Sequence, residues 1–104
     1  MMEKLVSFEG DSHKRLSNLP REVLEKFVQD LESMKVGEPP LSKSSSMNGL
    51  GAGVCELKKN GLPAYRLIYA IKGNVIHVLH VFSKTSNGTD KKHENTIKLR
   101  YKNI

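Results

Sequence analysis

Cysteine occurs once in these 104 residues, at Cys55. A lone cysteine excludes an intrachain disulfide and any cysteine-built zinc site, and leaves an inert buried thiol as its expected role. No apolar run approaches the ~18 residues that a membrane helix needs. The start, Met1-Met-Glu-Lys4, lacks the basic and apolar regions of a signal peptide. The expectation is a cytoplasmic protein with no membrane contact. Acidic residues are scarce after residue 51: three Asp and Glu against ten Lys and Arg, where residues 1–51 hold eight against seven. Three scattered carboxylates do not assemble a magnesium site, so neither metal nor cofactor is expected.

The formal charge is +6 and the pI is near 9.6, yet the halves differ, at −1 and +7. Positive potential concentrated over the second half favours a polyanion, with nucleic acid phosphates the natural case. The length suits one domain, 1–104, with a modest core.

Two apolar runs rich in β-branched and aromatic residues, Ala64–Ile71 and Val75–Phe82, flank Lys72-Gly73-Asn74 and predict an antiparallel hairpin. Tyr65, Leu67, Tyr69 and Ile71 suit a core face, so alternation sends Arg66 with Ala64, Ile68 and Ala70 to the other face, expected to be open. Upstream, Lys4–Phe8 is a short strand and Asp11 or Ser12 caps a brief helical turn through Leu16. From Pro20 to Met34, Val23, Leu24, Phe27, Val28, Leu31 and Met34 recur at helical spacing, and Gly37 with Pro39-Pro40 ends that helix. The serine- and glycine-rich stretch 41–53 has no period and predicts a loop. With no preceding strand and no Gly-Lys-Ser/Thr, it is not a nucleotide-binding P-loop. Val54–Lys59 predicts a third antiparallel strand, turning through Asn60-Gly61-Leu-Pro63. After Phe82 the chain is polar. Thr89 or Asp90 caps a last helix on which Ile97 and Tyr101 form a narrow stripe, while Lys91, Lys92, Lys98, Arg100 and Lys102 occupy its other faces.

Gly53-Val-Cys-Glu-Leu-Lys58, Tyr65-Arg-Leu-Ile-Tyr69 and Val78-Leu-His-Val-Phe-Ser-Lys-Thr85, in this order behind two helices, resemble the toxins of type II toxin–antitoxin systems in the RelE/ParE superfamily, nearest its phage-derived, HigB-like branch. The resemblance spans nearly the whole chain. It implies a compact α+β fold: an antiparallel sheet of three to four strands, helices packed on one face, and a C-terminal helix. It also implies ribosome-dependent mRNA cleavage and a cognate antitoxin of the small helix-turn-helix kind. Arg66 and Lys84 match basic positions of RelE-like enzymes. Two departures stand out. Glu56 aligns where those enzymes carry a lysine base, and no tyrosine follows Lys84 before Tyr101.

Metal-free RNA cleavage by the 2′-hydroxyl needs a base, cations around the phosphate and an acid for the leaving 5′-oxygen. Arg66 offers a permanently charged fork, Lys84 a point charge, and Lys58, Lys59 and Arg100 contacts to flanking RNA. Histidine, with an ordinary pKa of ~6.5, is the natural acid or base. His77 and His80, three apart, point by alternation to opposite faces. A three-residue 72–74 loop turns His80 toward Arg66, whereas a two-residue Gly73-Asn74 loop turns His77 there. His80, beside the Lys84 end, is the preferred candidate, and His93 on a polar helix face a minor one. Two other readings fit the charge: a ParE-like inhibitor of DNA gyrase, and a non-catalytic phage-derived nucleic-acid-binding module.

Overall fold

The computed structural model describes residues 3–85 and 91–104. The expected hairpin is its centre: β4 (Ala64–Lys72) and β5 (Val75–Lys84) pair antiparallel and close with Lys72 opposite Val75. The turn is therefore the two-residue Gly73-Asn74 loop. Gly73 takes a φ of 58° while no non-glycine among the described residues has positive φ, the arrangement in which the first loop residue must be glycine.

β3 (Val54–Lys59) pairs antiparallel with β4 as expected, and two further strands complete the sheet in the order β1-β5-β4-β3-β2. β1 (Leu5–Phe8) lies parallel to β5, so the sheet is mixed, with five strands where three to four were expected. β2 (Lys43–Ser46) falls in the stretch read as a loop. Lys-Ser-Ser-Ser has little strand preference of its own. It is placed by what precedes it: buried Asp30 accepts the Leu41 and Ser42 amides at 2.8 and 3.0 Å and sets the chain onto the open edge of β3.

Both faces of the sheet are covered. α1 (Ser12–Ser17) and α2 (Arg21–Lys35) lie on one, where Val23, Phe27, Leu31 and Met34 meet Leu57, Leu67, Tyr69 and Val81. Val28, counted in the apolar stripe, sits at its margin and stays 40% exposed. α3 (Lys91–Lys102) covers part of the opposite face, with Ile97 packed among Val54, Ile68, Ala70, Leu79 and Phe82. The face expected to be open thus carries a second small core. Ile97 and Tyr101 pack as their spacing predicts, while Thr89 and Asp90, read as its cap, lie outside the described residues. No helix among the described residues is long and apolar enough to cross a membrane.

Phe27 is fully buried between α2 and the sheet. Phe27→Ala should destabilise the protein by roughly 3 to 5 kcal/mol. Urea unfolding followed by circular dichroism will measure this, and an unchanged midpoint would place α2 outside the core.

Candidate functional site

Strand register sorts the charged side chains by face. Lys43, Lys58, Arg66 and Phe82 are successive cross-strand partners from β2 to β5, and Ser45, Glu56, Ile68 and His80 form the adjacent row. Lys84, opposite Ala64, extends the face at the end of β5. All of these share the side covered in part by α3. Lys59 does not: it pairs with Tyr65 in the alternate row, which faces α1 and α2. The structure therefore brings Lys58, Arg66 and Lys84 to one face and leaves Lys59 on the other.

Arg66 is only 7% exposed, against the expectation of an open fork. Its Nη1 donates to the Tyr65 carbonyl at 2.9 Å, its Nη2 to Asn60 Oδ1 at 3.2 Å, and its Nε faces Glu56 Oε2 at 3.8 Å. Glu56 is also 3.6 Å from Lys58 Nζ and accepts the Ser45 hydroxyl at 3.2 Å. A carboxylate standing where a lysine was the family expectation holds two cations together. Removing Arg66 would leave that mostly buried anion with only Lys58 and Ser45 of these partners, so an Arg66 substitution disturbs the fold as well as the surface. Beside this cluster an open groove of about 470 Å³ runs between β3 and α3, lined by Ser46, Met47, Leu50, Glu56, Glu94 and Lys98.

The histidines depart from strict alternation. With a two-residue loop, His77 belongs to the Arg66 face and His80 to the other. Leu79, however, has no partner between the pairs Tyr69–Val78 and Ile68–His80. This β-bulge resets the alternation, so both histidines end on the α3 side and His80 lies opposite Ile68. His77 is drawn to the β1 edge, where its Nδ1 is 2.9 Å from Glu9 Oε2, which also accepts the Ser7 hydroxyl at 2.7 Å. The His77 hydrogen bond is the main reason that the Glu9 carboxyl stays below its usual pKa, with burial opposing it.

His80 is 2% exposed, too deep to touch a substrate itself. Burial first, then the neighbouring His93, Arg15 and Arg100, push its pKa down to about 4, so it stays neutral where an ordinary histidine would titrate. Its Nε2 is 2.8 Å from His93 Nδ1, and its Nδ1 is 3.3 Å from Arg100 Nη1. The His93 ring stacks on Phe82 with centroids 4.2 Å apart, beside the Arg66 row. His93 is therefore the histidine at the outer end of this chain. The sequence contained its signal: residues 93, 97 and 101 are spaced i, i+4, i+8, so His93 shares the packed stripe of Ile97 and Tyr101.

Arg100, expected to touch RNA, has structural work instead. Its Nη1 donates to the Leu79 carbonyl freed by the bulge, at 2.9 Å, and its Nη2 to Asp11 Oδ1 at 2.8 Å. Asp11 also takes Arg15 Nε at 2.9 Å, and the bonds from Arg15 and then Arg100 lower its pKa to about 2. Gly10, at φ 55°, lies beneath: a Cβ there would overlap the Arg100 guanidinium. Tyr101 is likewise structural, donating its hydroxyl to the Ala52 carbonyl at 2.9 Å. Among the described residues no three His, Cys, Asp or Glu side chains gather as a metal site requires.

Residues 14–102 match the family of phage-derived Gp49-like proteins (DUF891). The chain belongs to that family. Its fold is that of RelE. This Gp49-like chain superimposes on a free-state arginine-substituted mutant of the E. coli toxin RelE with a TM-score of 0.66 and 19% identity, over 99% of both chains. It also matches a chain of the RelBE2 toxin–antitoxin complex from Mycobacterium tuberculosis, with a TM-score of 0.56 and 22% identity, over 80% of this chain and 100% of that one. No curated protein sequence matches it. The resemblance read from the sequence holds at the level of family and fold.

The depressed His80 pKa predicts an acid sensitivity. Below pH ~6.5 the unfolded chain protonates this histidine while the folded Gp49-like protein does not, so stability falls as pH drops toward 4. Between pH 6.5 and 5, before the carboxylates titrate strongly, the loss should be on the order of 2 kcal/mol. Urea melts at both pH values should show it in the wild type and not in His80→Gln. Equal slopes for the two proteins would place His80 in a solvated setting.

Proposed function

We propose that this Gp49-like protein is the toxin of a type II toxin–antitoxin pair and cleaves mRNA on the ribosome, in the cytoplasm, without a metal. The observation that carries the reading is the gathering of Lys43, Lys58, Arg66 and Lys84, with His93 beside them, on one face of a RelE-type sheet. In the reaction the RNA 2′-hydroxyl gives up its proton and its oxygen bonds to the adjacent phosphorus. The bond to the 5′-oxygen breaks, that oxygen gains a proton, and a 2′,3′-cyclic phosphate remains. Charge gathers on the phosphoryl oxygens, where preset cations are worth most. Lys58 and Lys84 supply point charges, and Arg66, fixed by Asn60 and Glu56, supplies standing potential. His80 acts through His93 as a positioning residue.

Glu56 sets a limit on this face. It offsets one of the two cations it touches, which keeps the cluster folded without reversing its sign. An acidic antitoxin segment laid across the same face would block RNA, and the likeness to a chain crystallised in a toxin–antitoxin complex supports such a partner, proposed as a small helix-turn-helix protein.

Purified protein added to translating ribosomes should cut mRNA equally with and without chelator and leave 2′,3′-cyclic or 3′-phosphate ends. Lys58→Ala should slow cleavage at least 10-fold, since it removes a charge that meets the phosphate, while leaving the melting temperature within a few degrees. Intact mRNA together with blocked gyrase supercoiling would replace this reading by the ParE-like one. Intact mRNA with active gyrase would leave a non-catalytic nucleic-acid-binding module.

A further inference from the structure

Arginine carries hydrogen-bond donors and no acceptor, and this fixes proton positions along the buried chain behind the cationic face. Arg100 Nη1 is 2.9 Å from the Leu79 carbonyl and 3.3 Å from His80 Nδ1, so it donates to both. His80 Nδ1 must then present its lone pair, and the ring proton sits on Nε2. That Nε2 is 2.8 Å from His93 Nδ1, a separation that needs one donor and one acceptor. His80 is the donor. His93 Nδ1 therefore accepts, and its own proton sits on Nε2.

We propose that the Arg100–His80–His93 chain holds His93 as a neutral imidazole with its proton on Nε2, a fixed hydrogen-bond donor to a phosphate or leaving oxygen of RNA and not a general base. The RNA end of this inference rests on the function proposed above. A base at His93 Nε2 would need its proton on Nδ1. His80 Nε2 would then have to accept, and the displaced proton on His80 Nδ1 would face Arg100, donor against donor. An imidazolium at His93 forces the same conflict.

Among the described residues around His80, nothing relieves it. The charged groups around His80 among the described residues are Asp11 just before α1, Arg15 from α1, and Arg100 and His93 from α3, while its β5 neighbour Phe82 is apolar. Asp11, the one carboxylate among the described groups beside His80, is already engaged by both arginines. Arg100 cannot swing aside without giving up the Leu79 carbonyl and Asp11. Phe82 sets the His93 ring by stacking at an interplanar angle of 14°, and Phe82 is the cross-strand partner of Arg66. A neutral N–H beside that row can stabilise charge developing on a phosphoryl oxygen without exchanging a proton.

Imidazole nitrogen-15 spectra of the wild-type protein between pH 5.5 and 8 will test the chain directly. Both rings should carry Nε2–H and a bare Nδ1 throughout, with coupling across the hydrogen bond from His80 Nε2 to His93 Nδ1. An Nδ1–H on either ring, or an imidazolium at pH 7, would overturn the proposal. Arg100→Gln, which offers an acceptor as well as donors, should give mixed tautomers if it folds. In the ribosome assay His93→Gln, which retains an N–H, should stay within ~10-fold of wild type, while His93→Ala should lose ~10²-fold. Equal losses in the two variants would overturn the donor role. A wild type that cuts no mRNA would overturn the proposed function and the RNA end of this inference, leaving the nitrogen spectra to judge the proton chain by itself.

Discussion

One unpaired residue, Leu79, governs how the two sides of this sheet are used. A regular strand alternates, and an uninterrupted β5 on the observed two-residue turn would send His80 into the α1–α2 core and leave Phe82 with it. The bulge instead keeps Val78 and Val81 on the α1–α2 side while Leu79 and Phe82 join Ile97 beneath α3. It also breaks the ladder at Leu79, whose carbonyl needs a partner. Arg100 provides one and, with its other arm on Asp11, joins the last helix to the first. The bulge, α1 and α3 are thus held at a single guanidinium, and glycine at position 10 leaves room for it.

The same constraint separates charge from core. α3 covers only part of its face, so the apolar patch around Ile68, Leu79 and Ile97 gives way to the row containing Lys58 and Arg66. Burying Arg66 without an anion would be costly, and Glu56 meets that need at the expense of some of the face's charge. On the proposed function, salt-dependent attraction to RNA falls mainly to the lysines, while the buried arginines keep geometry. The division follows the chemistry of the two side chains: the planar fork satisfies several acceptors at once, and the flexible ammonium reaches solvent.

Much of this was legible in the residues themselves. The α2 stripe, the central hairpin, the third strand and the Ile97–Tyr101 contact follow from periods of 3.6 and 2, and the ordered basic and aromatic segments pointed to the RelE-type fold. β2 was not legible, because Lys-Ser-Ser-Ser becomes a strand only through Asp30 upstream and the free edge of β3. His80 was placed on its observed face through a three-residue loop that the structure does not have: the two-residue turn alone would send it to the other face, and a bulge, which shifts register without altering composition, brings it back. Its trace was present in the phase slip of β5, where apolar residues at 76 and 78 are followed by 79 and 81. Arg66 and Arg100 were read as solvent-facing because charge suggests exposure, whereas both are spent on internal acceptors.

The central claim is that RNA meets the α3 side of the sheet, and mapping a bound but uncleavable strand tests it most directly. A short RNA with a 2′-deoxy residue at the scissile position, titrated into nitrogen-15-labelled protein, should shift Lys43, Lys58, Lys84 and His93 in step, with the effect fading as salt is added. Shifts confined to the opposite side, at Lys59, Tyr65 and α2, would contradict the account.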